Sequence, residues 1–410
     1  MLTKQGTTPR RGCDMAHEFR TFTVVKKVAE SEIITSFYFQ ATDGAPLWNI
    51  KPGQYLTLKI PAENGEILKP YSLSCDASEA ATHRITVKRE AGLNGAPDGV
   101  GSCWLHDQLK LGDKIQIAPP RGSFFLDEQS NRPVLLLSGG VGLTPLVSML
   151  HRLNQNNRDV YFFHACENGQ VHALRDEVTS LTNERIKSVF IYRQPSAQDQ
   201  VANRFDAQGV IDKTLLQQHI SIGSYDVYLC GPTPFMIAMY QLLLELGVRK
   251  DQIAYEFFDK AASLEKLAQT QAEATRSQAA SAAIPAVAAL PNLTNPDAWA
   301  EAEPDAASND LTNDSSAGFA ADKMQPGSAV TFSKSNKTAS WEDSVDSLLE
   351  LAENAGLAPE FSCRSGICST CACKLVEGKV EYFEEPLERP DNGDVLICCA
   401  KPKGPVVLEI

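Results

Sequence analysis

The chain has 410 residues, 43% of them hydrophobic, which is enough for two to four domains of ordinary globular composition. No window of 18 or more residues stays apolar, which argues against a membrane span. The net charge of −13 argues against nucleic acid as a partner. That charge is uneven: about −1 over residues 1–260, and about −6 over each of 261–328 and 329–410. An acidic end suits either a basic patch on a partner protein or plain solubility.

Residues 1–16 are polar, carry Pro9 and Gly12, and show no apolar period. They read as a disordered tail, within which Met15 is an alternative start. The basic residues Lys4, Arg10 and Arg11 precede no apolar run, so no secretory signal is expected.

From Phe19 the pattern turns to strands. Thr21–Val28, Ile33–Gln40, Tyr55–Ile60, Tyr71–Ser74, Arg84–Arg89 and Lys114–Ala118 are rich in β-branched and aromatic residues, with turns such as Lys51-Pro52-Gly53 between them. Six strands at this spacing predict an antiparallel barrel over residues 17–129. Within it lies Lys69-Pro70-Tyr71-Ser72. The ring of Tyr71 can pack on an isoalloxazine, the Ser72 hydroxyl can approach flavin N5, and Lys69 can meet phosphate. Alone, such a segment reads as an ordinary strand. Its neighbours favour a flavin nucleotide: Tyr55 in Gly53-Gln54-Tyr55, and Gly99, Val100, Gly101 and Ser102 opening a helix predicted at Cys103–Leu109. Glycines there present bare N–H groups to a pyrophosphate.

Residues 130–260 alternate strand and helix. The apolar run Val134–Ser138 leads into Gly139-Gly140-Val141-Gly142-Leu143-Thr144-Pro145 and then an amphipathic stretch to Leu153. Strand, glycine turn and helix make a dinucleotide phosphate cradle, although the spacing is not a strict G-x-G-x-x-G. Further strands are expected at Val160–Ala165, Ser188–Tyr192, Val227–Cys230 and Ile253–Phe257. Helices are expected near Ala173–Thr182, Lys213–Gln218 and Pro234–Leu246. The result is an open parallel sheet with helices on both faces, binding its ligand at the strand C-terminal edge. Cys230-Gly231-Pro232 ends a strand on that edge. After the second strand stands the acidic Glu167, which favours NADH over NADPH; Arg193 is the residue that could reverse the choice.

Residues 261–328 are dominated by alanine, glutamine, serine and aspartate, with Pro285, Pro291, Pro296 and Pro304. Ala261–Ala283 could extend as a polar helix; the remainder cannot bury enough apolar surface to order itself. This is expected to be a flexible linker with ends on the order of 45 Å apart, acting as a tether or as a passive spacer.

Residues 329–410 return to a compact pattern. Val330–Ser333 reads as a strand and Asp343–Ala355 as an amphipathic helix closed by Gly356. Ala372–Val376 and Lys379–Tyr382 are expected to pair as a hairpin, with Val395–Cys398 and Val406–Ile410 completing a small mixed sheet. Between helix and hairpin stand Cys363, Cys368 and Cys371, separated by four and two residues, with Cys398 and Cys399 further on. This is the plant-type [2Fe–2S] spacing. Zinc sites prefer paired short gaps, and nothing suggests the secretion that a disulfide set would need. Either Cys398 or Cys399 can reach as fourth ligand, and Cys373 reads as a buried strand cysteine. Eleven cysteines partly in iron-ligand spacing suit a reducing compartment, with the cytoplasm as the expectation.

Residues 17–260 resemble the flavin reductase module of the ferredoxin–NADP reductase superfamily, and most of all the reductase half of flavohaemoglobins. The resemblance is carried by Gly53-Gln54-Tyr55, Lys69-Pro70-Tyr71-Ser72, Lys88-Arg89-Glu90, Gly92–Leu105, Ser138–Pro145, Cys230-Gly231-Pro232 and Tyr255-Glu256-Phe257-Phe258. It implies bound FAD, Cys230 flanking the nicotinamide, and Glu256, Phe257, Phe258 and Asp259 closing over the flavin. Ser72, Cys230 and Glu256 are then the catalytic candidates. The family usually has arginine where this chain has Lys69, which loses the bidentate grip on phosphate. No globin segment precedes residue 17, so haem-based nitric oxide dioxygenation is not expected. Residues 329–410 resemble a plant-type ferredoxin of β-grasp fold, and that resemblance places the fourth ligand at Cys398. Together they imply electron flow from NADH to FAD to [2Fe–2S] and on to a separate acceptor metalloprotein, a hybrid-cluster protein or an oxygenase component. The alternatives are a diaphorase or flavin reductase with a small-molecule acceptor, and a redox-sensing binding module.

Overall fold

The computed structural model describes residues 19–258, 264–271 and 327–410, apart from 64, 80, 93–97, 222, 266, 343, 344, 362, 391 and 392. The expected tail and most of the expected linker lie outside the described residues.

The first unit is a six-stranded antiparallel sheet. It comprises β1 (Arg20–Ala29), β2 (Ile34–Ala41), β3 (Tyr55–Ala62), β4 (Gly65–Ser72), β5 (His83–Lys88) and β6 (Lys114–Arg121), in the order β4-β3-β6-β1-β2-β5. Beyond β4, Leu73 bridges Ile85 in β5 and closes the sheet. Alternate side chains point inward, so Phe22, Phe37, Leu56, Leu58 and Ile117 form the core. Each such burial contributes roughly 1.5–3 kcal/mol. The fourth strand begins earlier than its pattern suggests, because β4 pairs with β3 along its whole length, from Ala62 opposite Gly65 to Tyr55 opposite Ser72. Helix α1 (Val100–Asp107) follows β5.

The second unit is a parallel sheet in the order β10-β9-β8-β7-β11-β12. Its strands are β7 (Val134–Gly139), β8 (Val160–Cys166), β9 (Ile186–Tyr192), β10 (Ala207–Gln208), β11 (Asp226–Cys230) and β12 (Ile253–Glu256). Helices α2 (Leu143–Asn154), α3 (Arg175–Leu181), α4 (Ala197–Val201), α5 (Lys213–His219) and α6 (Thr233–Glu245) connect them. The apolar core lies on both faces of the sheet, as continuous runs such as Leu135, Leu136 and Leu137 require. Helical residues 264, 265 and 267–271 also belong here: Leu264 and Ala268 are buried against this core, and the Gln241 amide donates to the Ala268 carbonyl at 2.9 Å.

The third unit holds β13 (Ala329–Phe332), β14 (Lys337–Ser340), helix α7 (Leu348–Asn354), β15 (Ala372–Glu377), β16 (Val380–Tyr382), β17 (Asp394–Leu396), β18 (Ala400–Pro402) and β19 (Val406–Leu408). Five strands form a mixed sheet in the order β14-β13-β19-β15-β17, with only the β13–β19 pair parallel. Two expectations are corrected here. The β15–β16 hairpin does not form: β15 pairs with β17 and β19, while β16 pairs with β18. Gly378, at φ +95°, lies so close to the Pro405 carbonyl that a Cβ would come within 2.3 Å, and here the chain leaves the sheet. The strand expected at Val395–Cys398 ends at Leu396, because Ile397–Cys399 curl into a 3-10 turn.

Side chains join the units. Arg84 of β5 makes a bidentate pair with Glu177 of α3 at 2.6 and 2.7 Å, and His151 of α2 donates to the same carboxylate at 2.6 Å. On the other side, Tyr55 and Ala118 of the first unit pack against Ile367 and Leu387 of the third.

Candidate functional site

The three catalytic candidates come together. Ser72 ends β4, and its hydroxyl donates to Glu256 Oε2 at 3.1 Å. Glu256 ends β12 directly beside Cys230 in β11. Burial pushes the Glu256 carboxyl up to about 8; the Ser72 hydrogen bond opposes this and nearby Glu384 adds to it. Burial also pushes the Cys230 thiol well up, with Glu256 adding to the effect. Cys230 is therefore a neutral, packed side chain rather than a thiolate nucleophile. Phe257 is half-buried and Phe258 is 47% exposed; Asp259 lies outside the described residues.

The flavin-motif pieces are assembled by close backbone approach. Gly101, in the first turn of α1, sits where a Cβ would come within 2.7 Å of Tyr71 Oη and 2.9 Å of Lys69 Cγ. The helix start therefore packs against Lys69 and Tyr71, with Pro70 between them on β4. Gly99 is the N-cap of α1 and supplies no side-chain cap, so Val100, Gly101 and Ser102 stand in an uncapped first turn. Such N–H groups fit a pyrophosphate.

The second cradle lies where β7 gives way to β8 on one side and β11 on the other, the switch point of the sheet. Gly139 ends β7, and Gly140, Val141 and Gly142 form a 3-10 turn into α2, where Leu143, Thr144 and Pro145 are buried. Gly140 has φ +54° with open space beside it. A Cβ on Gly142 would meet the Cys230 carbonyl at 2.4 Å, and one on Gly231 would meet Phe235 at 2.7 Å. Pro232 caps α6 beside them. This tight backbone junction with one open glycine face fits a dinucleotide phosphate. Just past β8 and β9, Arg193 Nε donates to Glu167 Oε2 at 2.8 Å, so the two residues expected to weigh on cofactor choice are paired with each other.

The cysteine loop is built around sulfur. Backbone N–H groups of Ser365, Ile367 and Cys368 point at Cys363 Sγ at 3.5, 3.3 and 3.3 Å. The Gly366 N–H points at Cys398 Sγ at 3.4 Å, and the Cys363 N–H at Cys368 Sγ at 3.4 Å. Arg364, Gly366 and Ser369 all adopt φ near +55 to +65°, the turn that aims these donors inward. Cys398 lies within interaction reach of both Cys363 and Cys371. Cys399 instead donates to the Leu396 carbonyl at 3.5 Å and is fully buried. Cys373 is half-buried in β15 and packs against the core of this unit. Four converging sulfurs, ringed by N–H donors, suit a cluster of thiolate-held iron.

The residues that join the sites were not legible in the sequence. Arg121 Nη1 donates to the Glu385 carbonyl at 2.6 Å, and its Nη2 to that of Pro386 at 3.5 Å. Tyr55, the register partner of Ser72, is buried beside Ser365 and Glu384 with an unpartnered hydroxyl. Burial raises the Glu384 carboxyl, with Arg121 opposing. A cleft of about 370 Å³ runs from Ser123 of the barrel to Ser365 and Cys398. These contacts bridge more than 240 residues of sequence, and no local pattern announces them.

Comparison with known proteins accounts for all three units. Residues 21–126 match the oxidoreductase FAD-binding domain, 136–241 the oxidoreductase NAD-binding domain, and 330–403 the 2Fe-2S iron-sulfur cluster binding domain. A flavohemoprotein of Bacillus thuringiensis subsp. konkukian (strain 97-27) is 42% identical over 255 residues, covering 60% of this chain and 63% of the relative. The chain thus spans under two thirds of that protein's length. The flavohem-like FAD/NAD-binding domain of nitric oxide dioxygenase from Vibrio cholerae O1 biovar El Tor is 36% identical, with a TM-score of 0.52, over 98% of its length and 58% of this chain. Phthalate dioxygenase reductase, at 20% identity and a TM-score of 0.51, shares the fold over 96% of this chain and 98% of its own. No helix among the described residues is long and apolar enough to cross a membrane. The chain belongs to the FAD- and NAD-binding oxidoreductases, and it carries a C-terminal 2Fe-2S iron-sulfur cluster binding domain.

Proposed function

We propose that the chain oxidises NADH and delivers the electrons singly, through its cluster domain, to a separate metalloprotein. A hybrid-cluster protein or an oxygenase component is the acceptor class this order of domains suits. FAD, when bound, would accept one hydride, two electrons together, and pass those electrons on singly, which a [2Fe–2S] centre requires. The chain's own residues do the placing. Lys69, Tyr71 and the first turn of α1 hold the flavin nucleotide. Gly139–Gly142 and Cys230–Pro232 seat the nicotinamide nucleotide, and Ser72 with Glu256 line the place where the two rings meet. Cys363, Cys368, Cys371 and Cys398 are the proposed iron ligands. Glu167 suits the ribose hydroxyls of NADH and holds Arg193 away from a 2′-phosphate.

The observation that carries this reading is the packing of Ile367, inside the cysteine loop, on Tyr55, whose cross-strand partner is Ser72. It brings the iron-binding loop to the flavin-binding strands. Deleting residues 272–410 tests it; the cut lies after Ala268 so that the helix packed on the NAD-binding unit is kept. NADH-driven ferricyanide reduction should survive, and cytochrome c reduction should fall at least tenfold. Unchanged cytochrome c reduction would instead favour a diaphorase that needs no cluster.

A further inference from the structure

Two buried imidazoles in the NAD-binding unit have an unexplained nitrogen each. His164, in β8, is fully buried, and His172 is 5% exposed. Their rings lie 4.4 Å apart, centroid to centroid. Each is held by its Nδ1: His164 by the Ser138 hydroxyl at 2.8 Å, His172 by the Tyr192 hydroxyl at 2.9 Å. Neither Nε2 has a hydrogen-bond partner. Burying two orphaned ring nitrogens side by side is costly, on the order of 1–3 kcal/mol each, unless something fills the space between them. Cys166, two residues along β8 from His164 and so on the same face, completes the group; the three ligand atoms lie within 4.8 Å of one another.

The Ser138 hydroxyl also donates to the Phe163 carbonyl at 3.2 Å. With that proton on the Phe163 carbonyl, His164 Nδ1 is the donor in the Ser138 contact and Nε2 is left as a bare lone pair. That tautomer, fixed by an outer hydrogen bond on the far ring nitrogen, is how proteins present an imidazole to a metal.

We propose that His164, Cys166 and His172 form a second metal site, distinct from the cysteine loop, for a borderline-soft ion of the Zn²⁺ class. Two imidazoles and one thiol are a donor set that such an ion prefers, and Zn–N and Zn–S bonds of about 2.0–2.3 Å span the gap with modest side-chain closure. Cys166 is half-buried, so the ion enters from that side. The site lies immediately before Glu167, and the Cys166 carbonyl accepts from the Arg193 N–H at 2.9 Å. Metal occupancy would therefore stiffen the strand end that carries the cofactor-discriminating pair.

The test uses the full chain with flavin and cluster in place, so that the loop cysteines are already occupied. The protein is incubated with Zn²⁺, desalted, and analysed for zinc and iron content and by zinc K-edge absorption. One zinc per chain, with iron unchanged and a first shell of two nitrogens and one sulfur, is the expected result. Cys166→Ala and His172→Asn should each weaken zinc binding at least tenfold. Retention of neither zinc nor the mixed shell in the wild type would overturn the proposal. So would zinc binding that both variants leave unchanged, since the ion would then sit elsewhere.

Discussion

The Ser72 hydroxyl donates to Glu256 Oε2 at 3.1 Å, joining the last residue of a barrel strand to the last residue of the parallel sheet. Burial holds the Glu256 proton up to about 8 instead of the ordinary 4.5. The folded state thus keeps a proton that the unfolded chain releases. Stability from this group is full below pH 4.5 and is lost as pH rises toward 8, by at most about 1.4 kcal/mol per unit. Thermal melts between pH 5 and 8.5 should show a falling melting temperature, and Glu256→Gln should flatten the slope. An unchanged slope in the variant would remove Glu256 as its source.

Glu177 behaves in the opposite sense. Burial raises its carboxyl, but hydrogen bonds from His151 and Arg84 outweigh burial and hold it at about 2. Its stabilisation is complete above 4.5 and disappears as pH falls toward 2. Because Arg84 is only 7% exposed, Glu177→Ala leaves a buried cation without its partner. The cost should be on the order of 3 kcal/mol in denaturant unfolding. A loss below about 0.5 kcal/mol would show that the clamp between the two units is cosmetic.

On the proposed reading, cofactor choice rests on one ion pair. Arg193 is held by Glu167 at 2.8 Å. Glu167→Gln should release Arg193 toward a 2′-phosphate and improve kcat/KM for NADPH relative to NADH by roughly tenfold, about 1.4 kcal/mol. Glu167→Gln combined with Arg193→Ala should lose that gain. If the single variant leaves the ratio unmoved, the discriminating contact lies elsewhere.

The proposed fourth ligand is separable from its neighbour. Cys398 faces the loop, and Cys399 is turned toward the Leu396 carbonyl. Cys398→Ser should abolish the visible absorption and EPR signal of the cluster while flavin content is kept. Cys399→Ser should keep all three. The reverse pattern would exchange the assignments.

Much of this was legible in the residues because local physics and the fold agree. The barrel strands, the glycine turns and the cysteine spacing are each dictated by groups within a few residues of one another. The failures were non-local or too short to register. Nothing in Ala372–Tyr382 says that β16 will desert β15 for β18, since that choice is made by strands arriving later in the chain. The two-residue β10, the five-residue α4 and the polar β14 carry no usable period. At the site, individual motifs could be read, but not the third unit's approach to Tyr55, nor the loan of Glu384 and Glu385 to the barrel. Cys398 was reached through resemblance; the 3-10 turn that aims it is a structural fact.

On the proposed reading, electrons cross between the barrel and the cluster domain where Ile367 packs on Tyr55, and Arg121, the β6 partner of Tyr55, holds the two units together there. Arg121 donates to the Glu385 and Pro386 carbonyls without belonging to the proposed flavin, nicotinamide or iron sites. Rapid mixing of the full chain with NADH, followed at flavin and cluster wavelengths, tests this most directly. Arg121→Glu should leave flavin reduction unchanged and slow cluster reduction at least tenfold. Cluster reduction at the wild-type rate in that variant, or a cluster that NADH never reduces in the wild type, would contradict it.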